Sequence, residues 1–147
     1  MYNIILEVYI NLCRNQEHDF NWSVLDMSGT ISKETADMVL NFRDERNWKQ
    51  FHNPKDLAIS ICLEAAELLE VFQWSGSDLS IDGKTEKIKE ELADIANYCI
   101  LMADRCNLDL DQIIREKVIR NAEKYPIEKA FGRKEKYTEL EQKNDYI

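Results

Sequence analysis

The chain has 147 residues, 44% of them hydrophobic, a length that suits one domain with a modest core rather than a two-domain enzyme. Its net charge of −9 excludes general affinity for nucleic acid or an anionic membrane surface, since both need clustered Lys and Arg. Only four Gly and two Pro occur, and long stretches rich in Leu, Ala, Glu, Lys and Ile predict an all-α fold.

Residues 1–30 differ in texture from the rest: "NQEHDFNWSVLDMSGT" is polar, lacks sustained periodicity and ends in a turn at Ser28 and Gly29. They read as an N-terminal extension, and Met27 stands where a shorter product could begin. No apolar run approaches the roughly 18 to 20 residues of a membrane span, and "MYNIILEVYI" has no basic leader region, so a cytoplasmic location is expected. Cys13, Cys62, Cys99 and Cys106 form no CxxC pair and read as reduced, structural thiols.

The first helix is expected from Ser32, as N-cap, to about Trp48, followed by a loop around "QFHNP". The second begins with Asn53 as N-cap and Pro54 in the first helical position and continues to about Trp74. "SGSDLSIDG" supplies turn chemistry before a third helix from about Lys84 to Cys106. A fourth starts at Asp109, which has capping-box spacing to Gln112, and ends near Lys124 ahead of Pro126. The helical domain is taken as residues 31–140, with the stretch from Phe131 onward reading as polar and at best partly ordered, and residues 141–147 as its tail.

Two helices carry carboxylates where apolar residues are expected. At about 100° per residue, Leu57, Ile61, Leu68, Val71 and Phe72 share one side of the second helix; Glu64 falls among them and Glu67 at their edge. On the third helix Ile95, Tyr98, Leu101 and Met102 define an apolar side into which Glu91 and Asp94 project. Each pair is spaced i, i+3 and so lies on one face. Both pairs stand about nine residues, or roughly 13 Å of rise, from the intervening loop, so an antiparallel hairpin brings all four to one height.

Four gathered anions repel one another unless some are protonated or a cation holds them. Oxygen ligands alone, without His or Cys at ligand spacing, suit Mg²⁺ or Mn²⁺. The plainer alternative is that ExxE and ExxD are ordinary solvated helix faces, as most such spacings are. A di-iron bundle needs Glu-x-x-His, and neither His18 nor His52 follows a Glu by three.

The fourth helix adds opposite charge. Its apolar face begins with Leu110, Ile113 and Ile114 and continues into Lys117, Asn121 and Lys124, with Arg120 at the border, a pattern that suits phosphate oxygens or simply a solvated basic helix end. Trp48, Phe51 and Trp74, with His52 nearby, lie at helix ends; the tryptophans can stack on a base or fill helix junctions as core. Glu70 is rotated away from Glu67 and is read as solvent-facing.

With these residues on view, the chain resembles the MazG-like all-α nucleoside triphosphate pyrophosphohydrolases, especially the small dCTP pyrophosphatase branch. The resemblance covers about residues 32–140 and rests on Glu64-Ala-Ala-Glu67 and Glu91-Leu-Ala-Asp94 with residues 68–90 between them, together with "FRDERNWKQFHNPKDL", "ELLEVFQW", "EELADIANY" and "KVIRNAEKYP". It implies cleavage of a nucleoside triphosphate, dCTP or a related dNTP, to monophosphate and pyrophosphate, in nucleotide-pool sanitation. Glu64, Glu67, Glu91 and Asp94 would then hold Mg²⁺, Lys117, Asn121 and Lys124 would meet phosphates or sugar, and Trp48, His52, Trp74 and Tyr98 would shape the base and sugar pocket. It further implies a homo-oligomer, a tetramer rather than a dimer, with sites close to subunit interfaces. The residues also admit a dUTP- or phosphoribosyl-ATP-type hydrolase of the same superfamily, or a non-catalytic helical oligomerisation module.

Overall fold

The computed structural model describes residues 31–142, so the N-terminal extension, Met27, Cys13, His18 and most of the expected tail lie outside it. The chain divides between Ser32 and Lys33, and every element named here belongs to the second unit. Its described elements are helices: α1 (Lys33–Glu45), a 3₁₀ turn (Trp48–Gln50), α2 (Pro54–Glu70), α3 (Thr85–Cys106), α4 (Leu110–Lys124), α5 (Ile127–Ala130) and α6 (Tyr137–Gln142). The all-α expectation is met.

Helix α1 stops at Glu45, three residues short of the expected Trp48, because Asn47 takes a left-handed conformation with φ 54°. Asn tolerates that region better than most L-residues, and the reversal restarts the chain as a 3₁₀ turn. Gln50 Nε2 donates to the Asn47 carbonyl at 2.9 Å, and the Arg46 guanidinium lies 3.7 Å from the Phe42 ring centroid, so the corner is tied on both sides.

At the start of α2, Asn53 caps as expected: its Oδ1 accepts from the Asp56 amide at 3.0 Å, and Pro54 removes a second orphan donor. The helix ends at Glu70 rather than Trp74. From there the Phe72 and Gln73 amides bond three residues back, to Leu69 and Glu70, and Trp74 adopts φ 67°. The connection to α3 is held by its own polar groups, since Lys84 Nζ donates to Asp78 at 2.9 Å and to the Ser80 carbonyl at 2.8 Å.

Helix α3, 22 residues and so roughly 33 Å long, is the axis of the fold. Left-handed Asn107 closes it, with its own amide on the Asp104 carbonyl and the Leu108 amide on Ala103, the two bonds of a Schellman cap. The principal packing is α2 antiparallel on α3, with α1 laid against α3 as well. At the centre Leu57 is 1% exposed, and Ile100, Leu101 and Ala103 are buried. Burying a side chain of Leu57's size contributes on the order of 2 kcal/mol.

One charge is carried into this core. Arg43 is 3% exposed; its Nε donates to Asp44 at 2.7 Å and its Nη1 to Asp104 at 2.5 Å, a bond that joins α1 to α3. The hydrogen bond to Asp44 and the two aspartate charges outweigh burial and keep the guanidinium protonated.

Helix α4 starts from the Asp109 cap, which accepts from the Gln112 amide at 3.0 Å. The reciprocal half of the expected capping box is missing, because the Gln112 side chain bonds Glu116 instead. No residue of α4 is buried, and Ile114 is 53% exposed. Ile59, Leu63 and Leu69 on α2 are exposed too. Within the described part of the polar stretch after Phe131, α6 forms, Tyr137 meets Tyr125 edge to face, and Leu140 is buried.

Candidate active site

The two carboxylate-bearing helices meet as their spacing requires. Carboxylate oxygens of Glu64, Glu67 and Glu91 all come within 4.8 Å of one another, close enough to share one cation. Glu91 is buried, Glu64 half-buried and Glu67 exposed. Such an arrangement arises because the 3.6-residue period of α2 puts Glu64 and Glu67 on one side of the helix, while α3, running the other way, presents Glu91 to them.

Asp94 stands one turn farther along α3 and outside this triad. It is still electrically part of the site: burial first, then the charges of Glu67, Asp94 and Glu91, push the Glu64 carboxyl above its ordinary value. An all-oxygen donor set whose charges raise the Glu64 pKa fits a hard divalent cation, which would relieve that repulsion.

Asp94 also lines a cavity of about 380 Å³ with Trp48, His52, Tyr98, Phe42 and Arg43 among its walls. Three of the four expected pocket residues, Trp48, His52 and Tyr98, are thus brought together beside a member of the carboxylate set. Phe42 and Trp48, both in the cavity wall, meet edge to face with centroids 5.9 Å apart. Burial, and then the nearby Arg43 charge, lower the His52 pKa and keep its imidazole neutral at neutral pH. Its Nδ1 is buried without a hydrogen-bond partner among the described residues.

The remaining expected residues lie apart. Trp74 is 91% exposed on its left-handed turn and lines neither this cavity nor a second one of about 270 Å³ on the other side of the carboxylates. Lys117, Asn121 and Lys124 on α4 line neither cavity, and the Lys124 ammonium sits 5.3 Å from the Tyr137 ring centroid. Glu70 is exposed, as expected, but lines the second cavity with Glu67, Val71, Gln73, Lys87 and Glu91.

Sequence reasoning did not single out Arg43, Asn97 or Lys87. Asn97 follows Asp94 by three, and its Nδ2 lies 3.5 Å from the Asp94 carboxylate, so helical spacing alone could have found it. Lys87, four residues before Glu91, was accessible by the same rule. Arg43 was not, because its partner Asp104 lies 61 residues away.

Comparison with known proteins now adds to this geometry. The chain is 36% identical over 104 residues to dCTP pyrophosphatase 1 of Mus musculus, an alignment covering 67% of this chain and 61% of that protein. The Homo sapiens protein of the same name matches with the same identity and coverage. The chain therefore spans about three fifths of the length of these curated relatives. A crystal structure of a pyrophosphatase from Archaeoglobus fulgidus superposes with a TM-score of 0.59 at 35% identity, over 63% of this chain and 90% of that one. The family model described as the MazG-like family matches residues 59–140, from the middle of α2 to the buried Leu140, and by that match the chain belongs to the MazG-like family.

Proposed function

We propose that residues 31–140 form a metal-dependent nucleoside triphosphate pyrophosphohydrolase that cleaves dCTP, or a closely related dNTP, to the monophosphate and pyrophosphate. The observation that carries this reading is the triad of Glu64, Glu67 and Glu91 gathered within 4.8 Å, with Asp94 leading into an aromatic cavity. The dCTP pyrophosphatases matched above support both reaction and base, and the archaeal pyrophosphatase supports the reaction alone. A role in nucleotide-pool sanitation is part of this proposal.

Glu64, Glu67, Glu91 and Asp94 would hold Mg²⁺, and Mn²⁺ suits the same oxygen donors. When bound, the ion polarises a phosphoryl oxygen and offsets the charge that develops on departing pyrophosphate. One carboxylate of the Glu64/Glu67 pair orients the attacking water and accepts its proton. Trp48 and Tyr98 wall the base and sugar, while neutral His52 offers a ring nitrogen that no protein group among the described residues engages. Trp74, in this reading, joins the pocket only when the turn carrying it moves or a partner covers it.

Lys117, Asn121 and Lys124 would reach phosphates or sugar at a subunit interface. The exposed apolar residues Ile114 and Val118 on α4, and Leu63 on α2, support a homo-oligomer, for which a tetramer is favoured over a dimer. No helix among the described residues is long and apolar enough to cross a membrane, in keeping with a cytoplasmic role.

The test is release of monophosphate and pyrophosphate from each common dNTP and NTP, with and without Mg²⁺. We expect metal-dependent release that is greatest for dCTP and reduced about a hundredfold or more by Glu67→Gln, with the helical content unchanged. A maximum on dUTP or phosphoribosyl-ATP moves the chain to another specificity in the superfamily. No release from any nucleotide, together with no saturable stabilisation by Mg²⁺, would leave a non-catalytic oligomerisation module.

A further inference from the structure

The carboxylates stand between two cavities of opposite character. Asp94 opens onto the aromatic one, whereas Glu67 and Glu91 open onto the second, of about 270 Å³, lined by Glu67, Glu70, Val71, Gln73, Lys87 and Glu91. A triphosphate cut between its α- and β-phosphates must place the α-phosphorus at the carboxylates, its nucleoside to one side and its pyrophosphate half to the other. Aromatic walls suit the base. The polar cavity is left for the β- and γ-phosphates.

Helix stability does not account for the cation in that cavity. Lys87 stands in the first turn of α3, where positive charge opposes the helix dipole, and its order relative to Glu91, Lys before Glu, is the weaker arrangement for an i, i+4 pair. Neighbouring lysines are engaged: Lys84 binds Asp78 at 2.9 Å and Lys89 binds Glu86 at 2.7 Å. Lys87 has no ion pair among the described residues, although three glutamates line the cavity with it.

We propose that Lys87 binds the pyrophosphate half of the substrate, donating a charge-assisted hydrogen bond to a β- or γ-phosphate oxygen in the second cavity. This inference rests on the pyrophosphohydrolase reading. Three glutamates would repel a bare polyanion, so the phosphates enter as their divalent-metal complex, and Lys87 supplies the donor that carboxylates cannot. Gln73, on the turn after α2, lines the same cavity and offers a second, neutral donor.

Calorimetry on the full chain can separate the two halves of the site. Inorganic pyrophosphate and dCMP are titrated separately at one fixed Mg²⁺ concentration, and Mg²⁺ is titrated alone, into wild type, Lys87→Ala and Lys87→Arg. We expect Lys87→Ala to weaken pyrophosphate about tenfold, to leave dCMP and Mg²⁺ within about twofold, and Lys87→Arg to restore most of the loss. Equal pyrophosphate affinity in wild type and Lys87→Ala overturns the inference, as does an equal loss for dCMP and pyrophosphate, which marks a merely structural role. Should wild type hydrolyse the triphosphate yet fail to bind pyrophosphate, this inference alone falls; with neither turnover nor Mg²⁺ binding, the reading beneath it falls as well.

Discussion

The hairpin of α2 and α3 presents its carboxylates from two helices packed on each other, whereas α4 presents Lys117, Asn121 and Lys124 from a helix with no buried residue. On the hairpin, Leu57 and Leu101 lie buried in the same helices that carry Glu64, Glu67, Glu91 and Asp94, so the backbone that presents the carboxylates is fixed by a core, although Glu67 and Asp94 themselves are exposed. On α4 the apolar residues Ile114 and Val118 face solvent. Negative charge is thus preorganised within one chain. The positive charge of α4 stands on a helix that the described residues leave uncovered.

Substitutions should separate these regions by the size and kind of their effect. Leu57→Ala removes a side chain that is 1% exposed and should cost about 2 to 4 kcal/mol in urea unfolding, with Mg²⁺ response lost alongside. The double change Ile114→Asp, Val118→Asp should leave the hairpin's helical signal and its Mg²⁺ binding in place, while lowering the mass measured by light scattering to that of a smaller assembly. An unchanged mass would break the comparison, because α4 would then be exposed by nature rather than by lack of a partner.

A smaller effect is expected at the joint between α1 and α3. Asp104→Ala removes one of the two carboxylates on buried Arg43 and should cost about 1.5 to 3 kcal/mol. Arg43 also lines the aromatic cavity with Trp48 and His52, so the same variant should raise the nucleotide KM more than it alters Mg²⁺ affinity. A loss confined to Mg²⁺ binding would show that the α1 contact serves the carboxylates instead.

What could be read from the sequence followed from local periodicity. The meeting of the carboxylates was legible because a 3.6-residue repeat and a loop of measurable length fix which side chains of an antiparallel pair can approach. The Asn53 and Pro54 start was legible because capping chemistry is contained within four residues. Helix ends were harder: the pattern of α2 runs on to Trp74, and only hydrogen bonding after Glu70 reveals the tighter turn. The burial of Arg43 was not legible, since adjacent Asp44 is only one of its partners and the other, Asp104, comes from another helix. Leu140 was hidden for the opposite reason, as a lone apolar residue in a polar stretch that tertiary contacts nonetheless bury.

The smallest effect concerns pH and sharpens the electrical side of the comparison. Burial and the charges of Glu67, Asp94 and Glu91 raise the Glu64 pKa above its ordinary value of 4.5 in the metal-free fold. Between the unfolded and folded values the native state then holds more protons, so this carboxyl's contribution to stability is present at low pH and declines as pH rises through that window. Asp44, Asp56 and Asp78 act with the opposite sign, their pKa values being lowered chiefly by hydrogen bonds from Arg43, Asn53 and Lys84 respectively. The informative quantity is therefore the difference between wild type and Glu64→Gln in urea midpoint from about pH 4 to 7. Without metal, Glu64→Gln should gain on wild type as pH rises; with Mg²⁺ the order should reverse, because the ion needs the ionised carboxylate that repulsion otherwise disfavours. If the metal-free difference did not change with pH, Glu64 would be free of its neighbours' charge, and the hairpin would hold four separate carboxylates rather than one site.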